Sequence, residues 1–303
     1  MGYTEKFTIV QNTEYGYYHI DPIPGPSELS DFYQSNYPEL LQEGEVAKGL
    51  SRLMGEDEQA DRERQWRRAT WYTDVQALIE SINSGASRVL DVGAGTGEFL
   101  LYMQDEGYEV VGIEPSARIS ERARSKGIEM HCTTIEEYEE GSRNSFDVVT
   151  LFHVLEHVPN PIEVIKVAHS LLKPGGIIVV KVPNEFNPLQ TSACESVGLD
   201  EWWIVPPIHI NYFDYDSLRA LVRGAGFSIE EEIGNFPMEM FLLMGENYVN
   251  DQNVGSRCHK KRVRFEESIS GDVRRTLYKK LADAGLGRSA TLVGIAEGKN
   301  SAE

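Results

Sequence analysis

The apolar positions of this 303-residue chain change period several times, and those changes mark out its elements. Val89, Leu90 and Val92 form a short, largely β-branched run, which predicts a buried strand. Gly93, Gly95 and Gly97 follow at alternate positions, and Phe99, Leu100 and Leu101 then resume at helical spacing. Upstream, Trp71, Val75, Leu78, Ile79 and Ile82 recur on one helical face, predicting a helix within Glu56–Ile82 that leads into that strand. Downstream, strand and helix signals alternate. Strands are predicted at Glu109–Glu114, Ile128–Cys132, Phe146–Phe152, Ile177–Val182 and Phe227–Ile233, and a last one at Ala290–Ala296. Helices are predicted at Ala117–Lys126, closed by Gly127, at Pro161–Leu172, and at Asp216–Ala225 with its cap at Asp214 or Asp216. Thr133 and Thr134 cap a small acidic turn, Ile135–Tyr138, and Lys173-Pro174-Gly175-Gly176 reads as a turn. Such alternation implies βαβ units and an α/β fold on a mostly parallel sheet with helices on both faces.

Three stretches depart from that rhythm. Residues 1–50 carry Tyr15, Tyr17 and Tyr18 before Asp21-Pro22-Ile23-Pro24-Gly25-Pro26, where the prolines forbid a helix. Ser27 then reads as the cap of a short helix through Tyr33. So much aromatic surface predicts an arm packed on the main domain. Pro183–Phe213 and Gly234–Ser289 are long insertions, and both follow strands, so they are expected to build a lid on the ligand side. The expected division is an arm with lead-in helices over 1–83 and a cofactor-binding core over 84–233, with a lid insertion at 183–213. A second lid insertion and the final strand then fill 234–303.

Composition narrows the class. An apolar content of 41% with 10% aromatics is ordinary for a soluble globular protein. No run approaches a membrane span, M-G-Y-T-E-K lacks the apolar core of a signal peptide, and a cytoplasmic location is expected. Cys132, Cys194 and Cys258 are scattered and odd in number, which suits neither a disulfide framework nor a zinc site. A formal charge of −19 argues against nucleic acid or an anionic membrane as partner. The exception is a basic cluster, Arg257, Lys260, Lys261, Arg262 and Arg264 with His259, which is either a solvated helix face or a pocket for an anionic group.

A strand that turns on glycines into a helix brings backbone close to a ligand and aims unpaired N–H groups at it. The dinucleotide fingerprint requires Gly or Ala at position 98, where this chain has Glu98, and no Gly-Lys-Ser/Thr follows for a P-loop. Glu98 would repel a pyrophosphate. A nucleoside without phosphates remains, and Glu114, closing the next strand, suits a ribose.

D-V-G-A-G-T-G followed by V-V-G-I-E-P-S resembles motif I and its acidic partner in class I S-adenosylmethionine-dependent methyltransferases. F-D-V-V-T-L-F-H-V-L-E-H-V-P-N-P resembles the fourth-strand motif of that family, and L-L-K-P-G-G-I-I-V-V-K-V-P the motif at strand five. H-I-N-Y-F-D-Y-D-S-L-R-A-L-V-R-G-A-G-F is similar to the segment before strand six in members that modify sugars, quinones and other small molecules. The resemblance covers Arg88 to about Ile233. It implies a Rossmann-like sheet of seven strands in the order 3-2-1-4-5-7-6, strand seven antiparallel, with S-adenosylmethionine as cofactor.

It also implies roles for named residues. Asp91, Gly93, Gly95 and Gly97 surround the methionine part, and Glu114 holds the ribose. Pro115 and Ser116 lie beside the adenine with Thr134 and Ile135, while Phe152 and His153 approach the sulfonium. His209 and His153 are the candidate catalytic imidazoles, since a hydroxyl acceptor needs a base. Trp202, Trp203, His209 and Tyr212, with Arg257, His259 and Arg262, are expected to meet the acceptor. His153, Glu156 and His157 share one side of a helical turn. Quinone-ring O-methyltransferases of this fold carry E-x-x-E-H there and resemble metal users, but His153 replaces the first Glu and no further ligand is evident, so no metal is expected. The expected activity is methyl transfer to a small molecule, a saccharide or nucleotide-sugar first, a quinone or natural-product ring second. A cofactor-binding module without catalysis is the reading from another class, and the oligomeric state is left open.

Overall fold

A computed structural model of the chain describes residues 7–25, 28–29, 53, 55, 57–138 and 143–298. The strands are β1 (Thr8–Gln11), β2 (Tyr18–Asp21), β3 (Arg88–Val92), β4 (Glu109–Ile113), β5 (Glu129–His131) and β6 (Phe146–Phe152). Then come β7 (Leu172–Pro183), β8 (Asn211–Tyr212), β9 (Phe227–Ile233) and β10 (Ser289–Ala296). Seven of them form one sheet in the order β5-β4-β3-β6-β7-β10-β9, which is the expected 3-2-1-4-5-7-6. β3 runs parallel to β4 and β6, β4 runs parallel to β5, and β10 is antiparallel to β9. This is the Rossmann-like fold that the resemblance implies.

The central strands are buried on both faces, so their sequences are apolar without alternation: Val148, Val149, Leu151 and Ile177 to Val180 are all fully inaccessible. Two boundaries moved. The expected Lys173–Gly176 turn is absorbed into β7, with Gly175 at φ +74 inside it. The lead-in helix is divided into Glu58–Arg67 and Thr73–Ile82 by a π-helical stretch, Arg68–Tyr72. The helix expected from Ser27 to Tyr33 lies largely outside the described residues. The predicted cap before β9 is Asp214, whose side chain accepts from Ser217 N at the start of helix Tyr215–Gly224.

The N-terminal arm holds the main surprise. β1 and β2 form an antiparallel pair, and β2 continues onto β8 to make a three-stranded sheet. The second insertion folds as helices Glu239–Leu243, Gln252–Glu267 and Gly271–Asp283. No described helix is long and apolar enough to cross a membrane.

The chain divides into two compact units whose limits differ from the expected ones. The glycine-loop unit consists of Pro24–Phe152, Lys166–Ile178 and Gly298–Glu303. The histidine unit consists of Met1–Ile23, His153–Ile165 and Val179–Glu297.

Candidate active site

In the glycine-loop unit, β3 ends in the turn that its sequence demands. Gly93, Gly95 and Gly97 take φ of +69, +54 and +73, a region that side chains resist. Gly97 is pinned further: a Cβ there would overlap Ile128 Cδ1 and stand 3.1 Å from Ala123 Cβ. Ala94 N donates to Ile113 O at 2.9 Å, which ties the loop to β4 and sets Glu114 beside it. Glu114 accepts from Gly95 N at 3.1 Å on one oxygen and from Ser116 N at 2.9 Å on the other. Each carboxylate oxygen keeps a second lone pair, so two vicinal hydroxyls can still bind. Burial raises the Glu114 pKa, with the two amides opposing it.

Asp91 is 3% exposed and accepts from Thr150 Oγ1 at 2.6 Å. Burial lifts its carboxyl to about 7, the Thr150 bond opposing and the Glu114 charge adding to the rise. Such a carboxyl gains from a cationic neighbour, and the ammonium and sulfonium of the expected cofactor are two. Phe152 packs edge-on against Trp71 and Phe99, each ring centroid 5.0 Å away. Pro115 O accepts from Cys132 Sγ at 3.5 Å, Ile135 is buried, and Thr134 Oγ1 accepts from Glu137 N at 3.4 Å.

Two features of this unit were not anticipated. Glu98 is no bare charge: Lys126 Nζ lies 2.6 Å from its carboxylate, so its repulsion of a phosphate is weaker than the sequence suggested. Tyr72, delivered by the π-helical stretch, is buried, and that burial pushes its hydroxyl up to about 12, with Arg67 opposing and the Glu98 and Asp91 charges adding to the rise. Arg67 also holds Glu63 at 3.0 Å. Apolar periodicity gives no sign of a π-turn, which places these side chains one position off the ordinary helical face.

In the histidine unit, the chain leaves β6 at His153, which adopts φ +58 and donates from Nδ1 to Glu156 Oε1 at 2.9 Å. A 3₁₀ turn, Leu155–His157, follows. His157 donates from Nδ1 to Ile208 O at 2.7 Å. Ile210 N in turn donates to Glu156 O at 2.7 Å, which docks the inserted segment on the turn. His209 thereby arrives with its ring 5.1 Å from that of His157. Glu156, His157 and His209 each offer a ligand atom, and the three atoms lie within 4.8 Å of one another. Glu156 Oε2 and His209 Nδ1 are buried and find no hydrogen-bond partner among the described residues.

Burial pushes the Glu156 pKa up, but the His153 hydrogen bond and the nearby imidazoles outweigh it and hold the carboxyl below its usual range. Burial, with His157 adding, presses His209 down to about 3. The cluster is thus one carboxylate set among imidazoles. An imidazole pressed so low is a weak proton acceptor. Absence of a further metal ligand was the ground for expecting no metal, and the fold supplies His209. Two imidazoles and a carboxylate suit a divalent transition ion.

Other acceptor candidates are placed differently. Tyr212 is 1% exposed, and its hydroxyl accepts from Val205 N and donates to His209 O, both at 3.2 Å. It braces the His209 loop. Trp203 is buried, with Trp202 edge-on to it at 4.9 Å. Three cations of the basic cluster are paired within the chain. Arg257 and Lys261 pair with Glu246, and Arg262 with the buried Glu266, 3.1 Å away, so their charges are answered within the chain. His259 shares their helix, half-buried.

A family model described as "Methyltransferase domain" matches residues 41–232. The chain belongs to this family. It is a class I S-adenosylmethionine-dependent methyltransferase, and S-adenosylmethionine is its cofactor. "Ubiquinone biosynthesis O-methyltransferase" of Sodalis glossinidius is 37% identical over 63% of this chain and 71% of its own length. The protein of that name from Pseudomonas aeruginosa is 34% identical over 38% of this chain, an alignment spanning about half (51%) of that relative. The crystal structure of the Burkholderia thailandensis 1,6-didemethyltoxoflavin-N1-methyltransferase, with bound 1,6-didemethyltoxoflavin and S-adenosylhomocysteine, superposes with a TM-score of 0.51. It covers 97% of this methyltransferase and 96% of its own chain at 14% identity, a likeness of fold alone. The left-handed glycine turn, and a buried carboxylate with lone pairs to spare, fit the nucleoside of the cofactor.

Proposed function

We propose that this methyltransferase methylates a hydroxyl of a small aromatic acceptor, a catechol-like ring, rather than a saccharide. The observation that carries the reading is the convergence of Glu156, His157 and His209 just beyond β6. Neighbouring ring oxygens suit such a cluster, and the curated relatives are named for O-methylation in ubiquinone biosynthesis. In the reaction the acceptor oxygen forms a bond to the methyl carbon. The carbon–sulfur pair stays on the departing thioether, and the hydroxyl proton leaves to water. S-Adenosylmethionine supplies the electrophile, so the protein chiefly orients the oxygen and excludes water. His153 fixes one oxygen of Glu156 and Ile208 fixes the tautomer of His157, so both side chains are oriented before a ligand arrives. A divalent cation held by Glu156, His157 and His209 would supply the acidity that the hydroxyl needs.

Purified enzyme incubated with S-adenosylmethionine and either catechol or methyl α-glucoside tests the acceptor by product mass. Catechol should gain the methyl group, and methylation of the glucoside alone refutes the reading. Calorimetric titration with Zn²⁺ or Mn²⁺ should show one site per chain that His157→Ala removes while S-adenosylhomocysteine binding persists. No metal binding by the wild type refutes the cation's part.

A further inference from the structure

Phe186 stands two residues beyond Asn184, where β7 has given way to loop at its carboxyl end, and its φ is +57. A bulky residue in the left-handed region is strained, and such residues persist where the surroundings hold them, commonly at ligand clamps. The surroundings here are aromatic. Tyr18 of β2 places its ring 4.8 Å from that of Phe186, Trp203 meets it edge-on at 5.6 Å, and Tyr212 lies at 6.4 Å. Tyr18 is delivered by the N-terminal hairpin, where it pairs in register with Tyr212, and Ile20 N anchors that strand by donating to Ile210 O at 3.0 Å. Phe186 and Tyr18 are each only half-buried, so aromatic surface remains open. Beside them the indole N–H groups of Trp202 and Trp203 are buried and have no acceptor among the described residues. A buried donor without a partner is costly, and an oxygen on an incoming ring would relieve that cost.

We propose that Phe186 and Tyr18, backed by the buried Trp203, form the wall on which the acceptor's ring lies, so that the N-terminal arm is part of the acceptor site. The ligand class is a planar aromatic ring with an oxygen substituent that accepts from an indole N–H. This rests on the aromatic-acceptor reading above and adds where the ring binds. Packing alone does not require the strained backbone, since the same ring could be presented from an extended residue. Stacking on open aromatic faces also suits a flat ring better than a hydrated sugar carrying hydroxyls on both faces.

Phe186→Gly separates a ligand wall from a packing role, because glycine relieves the backbone while deleting the ring. Catechol binding is read by quenching of intrinsic tryptophan fluorescence with S-adenosylhomocysteine present, and its KM and kcat are measured in parallel. The expected result is a melting temperature close to wild type and a catechol Kd and KM raised at least tenfold. S-Adenosylhomocysteine affinity should stay within twofold. Phe186→Leu keeps bulk and strain but loses the aromatic face, and should weaken catechol several-fold. It also carries the test, with Tyr18→Leu, where the glycine variant does not fold. Unchanged catechol KM in these variants overturns the wall and leaves the acceptor reading standing. A lowered melting temperature with intact catechol affinity assigns Phe186 to packing and likewise overturns it. Failure of the wild type to methylate catechol at all overturns the acceptor reading, and the wall falls with it.

Discussion

Asp91→Asn should change the pH dependence of folding stability in a way fixed by the burial of one carboxyl. In the folded protein, burial raises the Asp91 pKa from 3.8 to about 7. Between those values the unfolded chain has released the proton and the folded chain has kept it. Stability therefore falls as pH rises through this window and levels off above about 7. At about 1.4 kcal/mol for each pKa unit, a shift of roughly three units makes the loss about 4 kcal/mol at its upper bound. Asparagine has no proton to keep, and its carbonyl can still accept from Thr150, whose hydroxyl lies 2.6 Å from Asp91 Oδ1. Glu185 is also raised to about 7 and titrates in the same window, but it does so in both proteins. The quantity to follow is thus the difference between wild type and variant in urea-unfolding free energy, at several pH values from 4 to 8 without cofactor. The variant should gain steadily on the wild type as pH rises. A difference that stays flat refutes the assignment of a buried, proton-retaining Asp91.

Gly97→Ala should cost about 2–5 kcal/mol of stability in the same assay, from the left-handed backbone and the overlap with Ile128. A loss under 1 kcal/mol would show that the cradle is loose. Glu114→Gln removes the charge from both ribose bonds, so S-adenosylhomocysteine should bind at least tenfold more weakly by calorimetry, consistent with about 1.5–3 kcal/mol per charge-assisted bond. Equal affinity would displace Glu114 from the nucleoside site.

The glycine loop, Glu114 and the alternation of strand and helix were legible because each is a local matter. A β-branched run buried on both faces, a backbone that must take positive φ, and an acid ending the next strand are written within about 25 residues of one another. The strand order was not available from periodicity; it came through the family resemblance. The Arg67–Tyr72 pair was hidden because a π-helical turn leaves no mark on apolar spacing. The pairing within the basic cluster was hidden for a related reason: Glu246 lies 11 residues before Arg257, and nothing in the sequence says that they meet.

By itself, then, the sequence determined the class of sheet and the glycine turn that ends β3 beside Glu114, since steric and periodic rules act on neighbours. The tertiary structure alone decided that His209 joins Glu156 and His157, and that a hairpin from the first 21 residues pairs beside them. Both depend on backbone hydrogen bonds between segments far apart in the chain, Ile210 N to Glu156 O and Ile20 N to Ile210 O. A long-range pairing leaves no periodic signal in either strand. The same burial that brought His209 into the cluster lowers its proton affinity, an effect that no local pattern in the sequence records.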